Sequence, residues 1–139
     1  MRTILKIICV FSIAVLFLAC EKENNPELGD TISLIGYWVD PQINDSIFTF
    51  EKAEKLPDND YGLAFKEGQE FLERKNSGWC GTPPISYSDY AGTWNLDGPI
   101  INITVGYWGG IVDYKWRIIS IEKNKLIIYK INEEYHLEE

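Results

Sequence analysis

Apolar and polar residues alternate along most of the chain after residue 33. Ile101, Ile103 and Val105 alternate with polar residues, and the run from Asp113 to Ile118 shows the same pattern. A period of two, in segments rich in aromatic and β-branched residues, is typical of half-buried strands. The pattern predicts strands at Leu34–Asp40, Ser46–Lys52, Tyr61–Glu67, Glu70–Lys75, Gly92–Asp97, Ile100–Gly106, Ile111–Glu122 and Lys125–Asn132.

Turn-forming residues separate these strands, as in Asp97-Gly98-Pro99 and Trp108-Gly109-Gly110. Only the connection over Asn76–Ala91 is long, and no segment keeps a helical period over three turns. We therefore expect an all-β fold, an eight-stranded antiparallel up-and-down barrel whose closure removes exposed sheet edges. The side chains expected inside it are Trp38, Phe48, Phe50, Leu63, Phe65, Trp94, Leu96, Ile101, Ile103, Trp116 and Ile118.

The first nineteen residues have the pattern of an export signal. Arg2 and Lys6 precede an apolar run over Ile7–Ala19, which is shorter than the roughly 20 residues that span a bilayer. The sequence Leu16-Phe17-Leu18-Ala19-Cys20 resembles the lipobox of bacterial lipoproteins. That resemblance implies cleavage before Cys20 and attachment of acyl chains, such as palmitate, to this residue. The alternative is an ordinary signal peptide with an incidental cysteine.

The lipobox divides the chain into three parts. Residues 1–19 are the predicted lipoprotein signal peptide, and residues 20–31 are the lipidated cysteine with an acidic, flexible tether. Residues 32–139 are the predicted barrel domain, with a short polar tail over Asn132–Glu139. We expect the lipid to hold the protein in the bacterial cell envelope, as an outer-membrane lipoprotein that faces the periplasm or the cell surface.

The charge balance narrows the choice of partners. The chain has 139 residues with 13 Lys and Arg against 21 Asp and Glu, a net charge of −8, which becomes −10 when Arg2 and Lys6 leave with the signal. Binding to nucleic acid needs a basic face, so we expect no nucleic-acid partner. The apolar and aromatic content is sufficient for a packed core, and we expect a monomer.

Three Gly-x-Trp motifs lie in the strand region. Gly36 precedes Trp38 on the first strand, Gly92 precedes Trp94, and Gly106 precedes Trp108. A first-strand Gly-x-Trp followed by β meanders resembles the lipocalin or calycin signature. Together with the lipobox, it resembles the small lipocalin-like lipoproteins of Gram-negative bacteria, over roughly residues 31–132. The resemblance implies that Trp38 packs on a cation near one end of the barrel, and Lys130 is the nearest analogue.

Aromatic residues, most of them in loops and one expected inside the barrel, are the candidates for ligand binding. An eight-stranded barrel is just wide enough to be filled by side chains or to hold one small ligand. One hypothesis is a small apolar or amphipathic ligand; the alternative is a solid core and a module that contacts an envelope protein or a carbohydrate. Aromatic loop residues suit either function, although they can also fold back as a lid. The candidate binding residues are Trp79, Tyr87, Tyr90, Trp108 and Trp116.

Residues for catalysis or metal binding are scarce. His136 is the single histidine and lies in the predicted tail. Cys80 would be the one unmodified thiol of the processed chain, so no internal disulfide is expected. Asp58-Asn59-Asp60 lacks the remaining ligands of a calcium loop and is interpreted as a turn. We expect no enzyme activity, no metal and no cofactor.

Overall fold

The computed structural model describes residues 33–78 and 81–137, which form one closed barrel of eight antiparallel strands. The predicted all-β, eight-stranded barrel is confirmed. The predicted signal peptide, Cys20 and the tether lie outside the described residues. The elements are β1 (Gly36–Asn44), β2 (Ile47–Ala53), β3 (Gly62–Phe65), a 3-10 turn at Glu67–Gln69, β4 (Glu70–Asn76), β5 (Tyr87–Asp97), β6 (Ile100–Tyr107), β7 (Gly110–Glu122) and β8 (Lys125–Leu137).

The strand order differs from a strict up-and-down barrel at one connection. The order around the barrel is β1-β2-β8-β7-β6-β5-β4-β3, so β2 and β3 both pair with β1 and not with each other. Because β1 lies between β2 and β3, the segment that joins these two strands passes across β1, and its Leu56 is buried. Leu56 packs where a side chain at Gly62 would stand, because a Cβ there would lie 2.7 Å from Leu56 Cδ2. The missing side chain at Gly62 therefore leaves room for Leu56, while strand pairing joins β3 to β1.

Two strands are longer than the sequence pattern predicts. β5 begins at Tyr87, so the long connection covers residues 77–86 rather than Asn76–Ala91. β8 continues to Leu137 and pairs with β7 over its whole length, which corrects the prediction of a polar tail over Asn132–Glu139. In this part of β8, one face of the strand meets solvent and the other meets a polar region of the barrel interior. Both faces therefore carry polar residues, and the sequence resembles a polar tail.

The interior of the barrel is filled by side chains. All the residues predicted to face inward are buried or pack against the buried core, which confirms that set. Trp38, Trp94 and Trp116 are three of its largest members, and Phe65 packs edge-on against Trp94 with ring centres 5.4 Å apart. The core also includes residues that were not predicted: Leu34, Phe71, Val105, Val112, Tyr114, Leu126 and Ile128.

One end of the barrel, termed the closed end, contains the start of β1. Trp38 is fully buried there and donates a hydrogen bond from its indole nitrogen to the Leu34 carbonyl oxygen at 2.8 Å. The cation over the Trp38 ring is Lys52, with Nζ 5.0 Å from the ring centre. The expected partner, Lys130, instead lies over other rings near the opposite end. Trp38 meets Lys52 because β1 and β2 pair directly and place these two residues opposite each other.

The second Gly-x-Trp motif serves close packing between β5 and β6. A Cβ at Gly92 would overlap the Thr104 carbonyl oxygen and lie 2.8 Å from Val105 Cα. Trp94 is buried and donates to the Lys66 carbonyl oxygen at 3.1 Å. The third motif differs, because Trp108 lies in the turn between β6 and β7 and is 53% exposed.

Candidate functional site

The opposite end of the barrel, termed the open end, contains a buried carboxylate. Glu73 on β4 faces inward and is only 2% exposed. Tyr61 donates to its Oε1 at 2.6 Å, and Tyr114 donates to its Oε2 at 3.1 Å. Lys75 Nζ lies 2.6 Å from the same Oε2. Burying a charge is costly unless it is paired and hydrogen-bonded, and here two phenols and one ammonium meet that requirement.

A second ion pair lies beside this one. Lys130 Nζ on β8 is 2.6 Å from Glu133 Oε1. The same ammonium lies 4.0 Å from the ring centre of Phe48 and 5.5 Å from that of Trp116. Tyr114 connects the two pairs, because Lys130 and Lys75 lie 5.8 Å and 5.6 Å from its ring centre. The open end therefore holds two lysines among aromatic faces, an arrangement in which the ring quadrupole stabilises each cation.

Three tyrosines that donate to carboxylates in this region have raised pKa values. Burial raises the pKa of Tyr61 and of Tyr114, and the nearby Glu73 carboxylate raises both further. Burial also raises the pKa of Tyr135, whose hydroxyl donates to Glu133 Oε2 at 3.4 Å. A phenol with a raised pKa remains a hydrogen-bond donor at neutral pH. The buried carboxylate thus keeps its donors over the whole physiological range.

A cleft of about 190 Å³ opens above these groups. Its aromatic walls are built around Tyr107, whose ring is edge-on to Trp108 at 5.7 Å and to Tyr135 at 5.3 Å between ring centres. Strand pairing places Tyr107, Gly110 and Leu137 side by side, so the end of β6, the start of β7 and the end of β8 meet around the cleft. The residues that line it are Lys75, Asn76, Gly78, Tyr107, Trp108, Tyr114 and Tyr135.

One polar atom below this cleft has no partner. The indole Nε1 of Trp116 is buried and makes no hydrogen bond within the described part of the chain. The Trp116 ring is stacked on Tyr114, with ring centres 5.0 Å apart. A buried donor without an acceptor costs about 1–3 kcal/mol, which the packing of Trp116 in the core must offset.

The residues predicted to bind a ligand fall into different places. Trp108 lines the cleft, and Tyr90 faces the interior with Lys75 Nζ 5.4 Å from its ring centre. Trp116 is fully buried in the core beneath them. Tyr87 lies three residues before Tyr90 on β5, so it faces the opposite side of the strand. Trp79 lies outside the described residues, as does Cys80.

The signature residues lie away from this site. Gly36 and Trp38 belong to the closed end, and Gly92 and Trp94 belong to the packing between β5 and β6. The signature therefore identified structural positions, whereas the cleft is formed mainly by other residues.

Sequence reasoning missed the charged residues of the site. Glu73 and Lys75 follow the core residue Phe71 at intervals of two on β4, so all three share the inward face. The sequence signal that could have revealed them is this spacing of two, which places charged residues on the same face of the strand as a buried aromatic residue. Tyr114 was placed correctly on an alternating strand, but its partner Glu73 is 41 residues away in the sequence.

The described residues show neither a metal-binding cluster nor a membrane-spanning helix. No group of three or more histidine, cysteine, aspartate or glutamate side chains suited to a metal ion occurs in residues 33–78 and 81–137. His136 pairs with Asp113 at 3.0 Å on the outer face of the barrel. Within the same residues, no helix is both long and apolar enough to cross a membrane. Comparison of the chain with protein-family models, curated proteins and solved structures finds no match.

Proposed function

We propose that this protein is a lipid-anchored, lipocalin-like envelope protein that binds a small amphipathic ligand at the open end of its barrel. The observation that carries the proposal is the cleft lined by Lys75 and by the aromatic rings of Tyr107, Trp108 and Tyr135. Ligand sites combine apolar walls with a few placed polar groups, and this cleft has both. Anchoring through Cys20 and export to the outer membrane rest on the lipobox resemblance.

The size of the cleft limits the ligand. Its volume of about 190 Å³ is below the roughly 300–1,000 Å³ of pockets for drug-sized molecules. The interior below it is occupied by Phe50, Trp116 and other core side chains, which leaves no space for a long alkyl chain to descend. We therefore expect a compact ligand held at the mouth of the barrel.

The lipocalin-like assignment has separate support at the closed end. The family resemblance implies a first-strand tryptophan packed on a cation, and Trp38 lies beneath Lys52 in that way. A side chain at Gly36 would lie 2.9 Å from Lys52 Cε, so the glycine leaves room for this cation. The Gly-x-Trp spacing thus matches a physical requirement of the contact.

Native mass spectrometry of the full chain, purified in detergent from membranes of a Gram-negative host, tests the binding function. We expect a co-purifying small molecule with the wild-type protein and its loss in Trp108→Ala. Tyr129→Ala is the matched control, because Tyr129 is also an exposed aromatic residue and does not line the cleft. Loss of the molecule in both variants, or its absence from the wild-type protein, would contradict the proposal.

A protein partner is the second candidate function. Three exposed apolar or aromatic residues lie together where β6 ends, β7 begins and β8 ends. They are Trp108 (53% exposed), Tyr135 (56%) and Leu137 (75%). Exposed apolar residues grouped in this way, over a filled core, suit a protein interface. Cross-linking in intact cells distinguishes the two functions: an envelope protein attached at position 108, together with an empty cleft in mass spectrometry, supports the interface.

A further inference from the structure

The charged group that lines the cleft is an ammonium. Lys75 is the charged residue among those that line it. Its partner Glu73 lies behind it, 2% exposed, and does not contribute to the lining. The chain as a whole carries a net charge of −8. The cleft of this acidic protein therefore presents a cation to a ligand, with the paired carboxylate behind it.

Lys75 has donor capacity to spare. An ammonium group has three N–H donors, and within the described residues Glu73 and Tyr114 accept two of them, at 2.6 Å and 3.2 Å. Glu73 would also keep two phenol donors, from Tyr61 and Tyr114, if Lys75 turned toward a ligand. The Lys75 ammonium can therefore bind a second anion while the buried Glu73 carboxylate keeps two hydrogen-bond donors.

The hydroxyl groups around Lys75 are already committed as donors to carboxylates. Tyr114 donates to Glu73 and Tyr135 donates to Glu133, and the pKa of each phenol is raised by burial and by these acids. None of the described residues that line the cleft carries a carboxylate, so an incoming cation would face the Lys75 ammonium, whose partner Glu73 lies buried behind it. An incoming carboxylate would gain a charge-assisted hydrogen bond.

From these contacts we infer that the ligand of the proposed binding function is a small anion, a single aromatic ring that carries a carboxylate. Lys75 Nζ binds the carboxylate, and the rings of Tyr107, Trp108 and Tyr135 contact the aromatic part. This inference rests on the proposed ligand-binding function. It adds the sign of the ligand's charge and the residue that selects it.

Three probes of matched size test the charge: benzoate, benzyl alcohol and benzylamine. Each is titrated into the full chain in detergent at low ionic strength, with binding followed by calorimetry and by ligand-observed NMR. We expect benzoate to bind at least tenfold more tightly than either of the others. Tenfold corresponds to about 1.4 kcal/mol, a modest difference for one charge-assisted hydrogen bond.

Variants of one residue test the assignment to Lys75. Lys75→Met should lower the affinity for benzoate at least tenfold and change the affinity for benzyl alcohol by less than about threefold. Lys75→Arg should keep the preference for benzoate. Lys66→Met is the control, because Lys66 lines different clefts and should leave all three affinities unchanged. Far-ultraviolet circular dichroism checks that each variant is folded. If Lys75→Met is not folded, the three-probe series on the wild-type chain still shows which ligand charge the cleft prefers.

The outcomes separate this inference from the proposed function. If benzylamine or benzyl alcohol binds as tightly as benzoate, the anionic assignment is overturned and the small-ligand site stands. If none of the three binds while a molecule still co-purifies, the inference is again overturned and the function stands. If nothing binds and nothing co-purifies, both are overturned.

Discussion

Removal of the Glu73 carboxylate is the most direct test of the cluster at the open end. In Glu73→Ala, the Lys75 ammonium and the phenols of Tyr61 and Tyr114 lose their shared acceptor. Lys75 is mostly buried, with 16% of its side chain exposed, so water replaces the lost carboxylate only in part. The variant is therefore expected to be destabilised by an unpaired cation and by two unsatisfied donors.

The magnitude follows from the burial of the pair. Breaking a buried ion pair by removing one partner costs about 3–5 kcal/mol, and the partial exposure of Lys75 places this case at about 3 kcal/mol. That is a large part of the 5–15 kcal/mol typical of a folded domain. Glu73→Gln keeps the shape of the side chain and one acceptor oxygen, so it should cost less, about 1–2 kcal/mol.

The assay is urea unfolding of the full chain in a mild detergent, followed by tryptophan fluorescence. Glu70→Ala is the control on the same strand, since Glu70 is exposed and should change the free energy of unfolding by less than about 0.5 kcal/mol. In a double-mutant cycle, Glu73→Ala and Lys75→Met should show a coupling of about 1–3 kcal/mol. A cost below about 1 kcal/mol for Glu73→Ala, or additive effects in the cycle, would refute the view that the pair is a buried, mutually dependent unit.

Other predictions concern packing, pH and anchoring. Gly92→Ala should destabilise the barrel by about 1–3 kcal/mol in the same assay, because its Cβ overlaps the backbone of β6. Gly81→Ala should be neutral, because no atom of the described residues other than its chain neighbours lies within 4 Å of the added Cβ. Equal effects of the two changes would contradict this packing. Burial and the neighbouring carboxylate raise the pKa of Tyr61 and of Tyr114 in the folded chain. Stability from these two phenols is therefore present below about pH 10 and decreases above it, where they ionise in the unfolded chain only. Because the chain has eight tyrosines, the last part of the rise in phenolate absorbance should coincide with alkaline unfolding. Complete phenolate formation before unfolding would contradict the burial of Tyr61 and Tyr114. Cys20→Ser should abolish acyl labelling and membrane association, and a variant that stays membrane-bound would disprove the lipobox prediction.

The sequence predicted the core of this protein better than its candidate site. The inward residues followed from alternation, because the pleat of a strand sends successive side chains to opposite faces. Trp108 and Tyr90 were selected as exposed or loop aromatic residues, and the first lines the cleft while the second faces the interior beside Lys75. Tyr87 shares their chemistry but faces the other side of β5, a distinction that required the true start of that strand.

The charged half of the site was hidden because charged residues on a strand are normally assigned to solvent. Glu73 and Lys75 share a face with Phe71, but β4 is a short strand and its polar residues outweighed the apolar period in the sequence. The second half of β8 was interpreted as a tail for the same reason. There, Glu133 and Tyr135 face inward toward Lys130 and Tyr107, so polar residues that look solvated are partners in the open end.

Local periodicity by itself determined the number of strands, their antiparallel character and the apolar lining of the barrel, because each depends only on residues adjacent in the chain. Tertiary structure decided which strands are neighbours, and it placed β1 between β2 and β3. It also brought Glu73 to Tyr114 and set Lys52 rather than Lys130 over Trp38. Such contacts depend on the register of paired strands and on closure of the sheet. Both bring together residues that are far apart in the chain, so they produce no periodic pattern in the local sequence.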